Sequence, residues 1–201
     1  EGNEKAKPVN RTTMNRRELI KKTALFMGAS VSAPAIMGIL NGCTAEPNLY
    51  WTPKYVTKEQ AVELEAIAET IIPATGTPGA KDAGVPAFIE KMVHEVYKPA
   101  DVKKFMDGLA AFSKKVEDKE GDPFSQLDAA KQLEVIKAEN SAALSSAGGG
   151  ERPWFLSMKE LTLLGFFTSE IGATQVLRYE AIPGRYEGCI PFSEVGKTWA
   201  T

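Results

Sequence analysis

Apolar residues recur at helical spacing in five stretches of the chain. Thr57 can cap the first, with Gln60 three residues on in capping-box position. Val62, Leu64, Ile67, Ala68, Ile71 and Ile72 follow, and Pro73 stops the run. Pro86 opens a second helix with Phe88, Ile89, Met92, Val93, Val96 and Tyr97 on one side. A third covers Ala100–Val116, carrying Val102, Phe105, Met106, Leu109 and Phe112, and a polar turn at 117–122 closes it. The fourth spans about Ser125–Leu144 with Leu127, Leu133, Val135 and Ile136. The segment from Trp154 to Leu177 is apolar almost all round, so it is expected at the centre of a bundle or against a partner. Alternation of period two is nearly absent. The pattern predicts an all-α chain, a single bundle of about five helices with a loop-rich tail from Tyr179.

Between these stretches the chain changes character. Residues 44–56 hold two prolines and no period, and read as a tether whose aromatics dock on the domain. Ala74–Val85 reads as an ordered loop, because it is rich in Gly and Pro but has no run of serine or charge. Gly148-Gly149-Gly150 marks a hinge. At the front, Asn15-Arg16-Arg17-Glu18-Leu19-Ile20-Lys21-Lys22 precedes an uncharged stretch diluted by Gly28, Ser30, Ser32, Pro34 and Gly38. Arg16 and Arg17 resemble the twin-arginine signal, which exports proteins already folded. Leu40-Asn41-Gly42-Cys43 resembles a lipobox, which implies acylation at Cys43. An uncleaved N-terminal membrane helix is the alternative. The expected organisation is a polar lead-in and leader at 1–43, a tether at 44–56 and a helical domain at 57–201. The domain is then on the periplasmic side of the envelope, membrane-anchored.

The leader takes seven of the 24 Lys/Arg and three of the 26 Asp/Glu, leaving a body with 17 basic and 23 acidic residues. An acidic body without a basic cluster argues against a nucleic-acid partner. The two cysteines are Cys43 and Cys189. With Cys43 acylated, Cys189 is alone in an oxidising compartment, which suggests a disulfide to another chain. A bridge to an unacylated Cys43 and a buried free thiol remain open.

Chemistry is scarce. The single histidine, His94, has no serine, cysteine or carboxylate cluster in its neighbourhood of sequence. Glu90 to His94 is one residue too long for the Glu-x-x-His of ferritin-like metal sites, and zinc would need more histidine or paired cysteine. Neither glycine-rich segment follows a strand, so neither cradles a dinucleotide. The expectation is no catalytic, cofactor or metal site in this chain. A protein exported folded without a cofactor of its own suits one that travels with a cofactor-bearing partner.

Four motifs in order carry a family likeness: Glu65-Ala66-Ile67-Ala68-Glu69-Thr70-Ile71-Ile72-Pro73, Thr77-Pro78-Gly79-Ala80-Lys81-Asp82-Ala83-Gly84-Val85-Pro86, Phe167-Thr168-Ser169-Glu170-Ile171-Gly172-Ala173, and Tyr179-Glu180-Ala181-Ile182-Pro183-Gly184-Arg185-Tyr186-Glu187-Gly188-Cys189. With them the stretch from Thr57 to Trp199 resembles the gluconate 2-dehydrogenase subunit 3 family. The resemblance implies a helical, non-catalytic accessory subunit. It also implies a large FAD-containing partner of the glucose-methanol-choline type that lacks its own export signal, and in some complexes a cytochrome c subunit. Pro78, Gly79, Ser169, Glu170, Tyr179, Pro183, Gly184 and Tyr186 are the candidate partner contacts, with Cys189 as the candidate intersubunit disulfide. For each contact, turn-forming or capping chemistry is the competing role. A periplasmic oxidoreductase using His94 and a free-standing lipoprotein module are the rival functions.

Overall fold

A computed structural model describes residues 49–146, 150–182, 184 and 188–200, so Arg16, Arg17, Cys43, Pro183 and Tyr186 lie outside the described residues. The described chain is mostly helical, with α1 at Lys58–Ile71, α2 at Val85–Lys91, α3 at Pro99–Glu120, α4 at Ala129–Ser146 and α5 at Trp154–Phe167. The all-α expectation holds, and the five helices lie where the apolar period placed them.

Local chemistry sets the boundaries. The Thr57 side chain accepts the Gln60 N–H at 3.3 Å while the Gln60 side chain accepts the Thr57 N–H at 3.0 Å, the reciprocal capping box. Pro86 sits in the first turn of α2, which passes directly into a π-helical turn at Met92–Val96. The third helix outruns its predicted end. Residues 117–120 stay helical, and Gly121, in the left-handed region at φ 88°, makes the stop.

The fourth segment is broken where one helix was expected. Phe124–Gln126 is a short 3-10 turn around a fully buried Phe124, and Leu127 is extended. Asp128 then takes the Lys131 N–H at 2.9 Å and starts α4. The last apolar segment is also interrupted. Ser169 Oγ donates to the Phe166 carbonyl at 2.7 Å and accepts the Gly172 N–H at 3.0 Å, ending α5 and restarting the chain as a π-helical turn at Gly172–Val176.

The core joins Leu64 and Ile67 of α1, Ile89 of α2, Phe105, Leu109 and Phe112 of α3, Ile136 of α4, and Phe155, Met158 and Phe166 of α5. Helix α5 packs on each of the other four, as its all-round apolar surface anticipates. Past it, β1 at Arg178–Tyr179 pairs in parallel with β2 at Trp199–Ala200, with the short α6 at Phe192–Val195 between them. No helix among the described residues is long and apolar enough to cross a membrane.

Candidate functional site

Three buried or half-buried glutamates hold the non-helical segments to the bundle. Glu69, near the end of α1, accepts the Ala74 N–H on Oε1 and the Lys81 N–H on Oε2, both at 2.8 Å. Lys81 returns to α1 through an ion pair with Glu65 at 2.6 Å. Glu63 accepts the N–H and hydroxyl of Ser125 at 3.2 and 2.9 Å. Glu90 accepts backbone N–H groups from the segment before α1. Each converts a loop that would expose unpaired donors into part of the fold.

That pattern re-sorts the predicted contacts. Gly79 is buried, its N–H donates to Asp82 at 3.1 Å, and a Cβ there would run into both Glu69 oxygens and the Ala74 nitrogen. Pro78 is half-buried beside it. The first two motifs are thus one structural unit, in which Glu69 from the first caps the loop made by the second. Ser169 is likewise occupied internally. Glu170, Tyr179 and Gly184 are exposed. Glu69 and Glu90 carry the local architecture, yet sequence reasoning gave them no role; the only signal was the motif position of Glu69.

His94 is held by packing. Its ring stacks on Tyr55 with centroids 5.0 Å apart and planes 11° from parallel, and Nε2 is buried without a hydrogen-bond partner. No group of three or more His, Cys, Asp or Glu among the described residues is arranged to hold a metal. A groove of about 910 Å³ opens between the starts of α3 and α5, floored by Tyr97, Phe105 and Trp154. Its rim charges are mutually engaged, Lys104 with Glu151 at 2.8 Å and Arg152 with Glu160 at 2.6 Å.

The exposed apolar surface gathers in the last third of the chain. Leu163, Leu164 and Phe167 form a stripe at the end of α5, where burial was expected on every side. Among the described residues from Leu177 to Ala200 none is buried, although the segment carries Tyr179, Ile182 (81% exposed), Ile190, Phe192 (70%) and Trp199. The tail is closed on itself by the strand pair and by Arg178, whose guanidinium lies 4.0 Å above the Trp199 ring and donates to the Val195 carbonyl at 3.3 Å. Cys189 stands in the loop so closed, exposed and free, which removes the buried-thiol alternative.

A family description, gluconate 2-dehydrogenase subunit 3, matches residues 58–184. The chain belongs to that family. The match begins at the first residue of α1 and ends within the tail, so it takes in the five helices α1–α5, the first three motifs and the first half of the fourth. No curated protein and no solved structure matches the chain. Membership of the subunit 3 family is consistent with an accessory subunit of a dehydrogenase complex.

Proposed function

We propose that this subunit 3 protein is a non-catalytic chain that binds, stabilises and co-exports a FAD-dependent sugar or polyol dehydrogenase of the glucose-methanol-choline type. The reading adds a periplasmic, membrane-anchored location reached by the twin-arginine route, and a cytochrome c subunit as a further member of the complex. The tail is the observation that carries it. Fixing a residue's backbone costs about 1–2 kcal/mol, and a segment recovers that by burying apolar surface. From Leu177 to Ala200 the described residues bury none of their large side chains fully, which favours another chain as the source of that return. Family membership, which is consistent with a place in a dehydrogenase complex, supports a dehydrogenase as that partner. The leader supplies the reason for travelling together, since twin-arginine export accepts a folded complex. The cofactor belongs to the partner, and His94, packed under Tyr55, is assigned to structure.

The test is export of the pair. Changing Arg16 and Arg17 to Lys should leave both this chain and its flavoprotein in the cytoplasm, seen by fractionation and flavin absorbance. A flavoprotein that still reaches the periplasm overturns co-export.

A further inference from the structure

Residues Tyr50–Val56 show no sequence period, yet they are fastened along α2 and the turn after it. Glu90, 5% exposed, takes three successive backbone N–H groups on Oε1, from Lys54 and Tyr55 at 2.7 Å and Val56 at 3.2 Å. Its Oε2 accepts the Trp51 indole N–H at 3.1 Å. Converging amide donors of this kind make a cradle for an anion, here filled by the protein's own carboxylate. The Tyr55 ring lies on His94 and its hydroxyl donates to Glu95 at 2.9 Å, while the Tyr50 hydroxyl accepts the Ala87 N–H at 3.5 Å.

We infer that this clamp selects the face of the subunit that meets the membrane, setting Tyr50, Tyr55 and Val96 against phospholipid headgroups. The inference rests on the reading that Cys43 carries the lipid. Seven Cα steps join Cys43 to Tyr50, and whatever their conformation they span at most about 25 Å. Helix α3, with 22 residues, is about 33 Å long. Were the arm attached only at Thr57, fourteen steps would reach about 50 Å, enough to present any side of the bundle. The clamp shortens the reach to less than the body's length, so the face beside the arm is the one held at the bilayer.

That face suits the position. Tyr50 and Tyr55 are half-exposed rings with polar tips, the side chains that favour the headgroup zone. Val96, next to Glu95, is 67% exposed. Lys54 lies over the Tyr55 ring at 4.7 Å with its ammonium 3.9 Å from Glu95, and with the Glu90 carboxylate beside them the patch has no excess of positive charge. The surface therefore fits the interface of a neutral bilayer through its rings and does not need anionic lipid.

The test uses the acylated full-length chain with Cys189→Ser. A nitroxide is attached at Val96→Cys or, in a separate protein, at Leu144→Cys, another exposed apolar position. On phosphatidylcholine vesicles, collision with a water-soluble relaxant should fall severalfold at position 96 and stay unchanged at 144. Glu90→Ala, with helical circular dichroism retained, should erase the difference. Equal access at both positions on vesicle-bound, acylated protein overturns the orientation and leaves the anchor standing. A difference that survives Glu90→Ala overturns the clamp as its cause. Acylated chain that fails to sediment with vesicles, or unacylated chain that sediments equally well, refutes the anchor and this inference with it.

Discussion

Glu63 and Glu90 are both buried and bonded, and their carboxyls move in opposite directions. Burial pushes Glu63 up; the two bonds from Ser125 resist, and the charge of Glu117 adds to the rise. Burial also opposes ionisation of Glu90, but the N–H groups of Tyr55, Trp51, Lys54 and Val56 outweigh it and hold the carboxyl below its usual range. The signs follow. Glu90 stabilises the fold above the ordinary carboxylate range, and that contribution is lost as pH falls through its depressed value. Glu63 is a cost once ionised, because folded protein holds its proton to higher pH than unfolded protein, and the cost vanishes on acidification. Its Oε2 is among the buried atoms without a partner. Glu63→Gln should therefore melt higher than the parent at about pH 7, with the gap closing towards about pH 4. Thermal unfolding by circular dichroism across that range checks it. A loss at about pH 7 that shrinks on acidification would mean that the Ser125 bonds to the carboxylate outweigh burial. Neither role is visible in sequence, since a glutamate on an amphipathic helix becomes an acceptor only when a distant backbone is brought to it.

At the scale of elements, periodicity located five helices because their apolar positions face one shared core, while their ends depended on single caps. Thr57 with Gln60 was legible from the order of residues alone. Asp128 was passed over because Leu127 continued the apolar period, although Asp before an alanine-rich run is a cap signal. The end of α3 was missed for the opposite reason: Glu117–Glu120 is polar enough to read as a turn, yet charged residues remain good helix formers until Gly121. For α5, apolar composition all round gave two readings, centre of the bundle or partner surface, and its residues divide between a buried set and an exposed stripe. Phe155, Met158, Leu161 and Phe166 are buried, whereas Leu164 is 45% exposed beside Leu163 and Phe167. If that stripe is covered by the flavoprotein, Leu164→Asp should change the stability of the isolated subunit by no more than about 0.5 kcal/mol. It should still abolish recovery of the flavoprotein in a pull-down from native membranes. Undiminished recovery would confine the interface to the tail.

For the whole molecule, the bundle satisfies its own core while none of the described residues from Leu177 to Ala200 is buried, so the proposed complex needs something that fastens this tail. The four motifs made the family legible, but two of the eight contact candidates, Gly79 and Ser169, are engaged by turns inside the fold, and motif residues alone do not separate an internal cap from an interface. Cys189 is different, since it is exposed in a loop closed at its base by the β1–β2 pair and by Arg178 on Trp199. With Cys43 acylated, no second thiol remains in the chain, and an oxidising compartment does not leave an accessible thiol reduced for long. A subunit exported already docked would have both sulfurs in register when oxidation first becomes possible. The expected outcome is a disulfide from Cys189 to the flavoprotein, contributing about 2–4 kcal/mol to the complex if it acts as an ordinary cross-link. Non-reducing electrophoresis should show one band that becomes two on reduction, and Cys189→Ser should remove that band while a weaker complex still copurifies. Subunits that separate without reductant, with Cys189 freely reactive towards a thiol label, would eliminate the bridge. Association would then rest on the apolar tail and the α5 stripe.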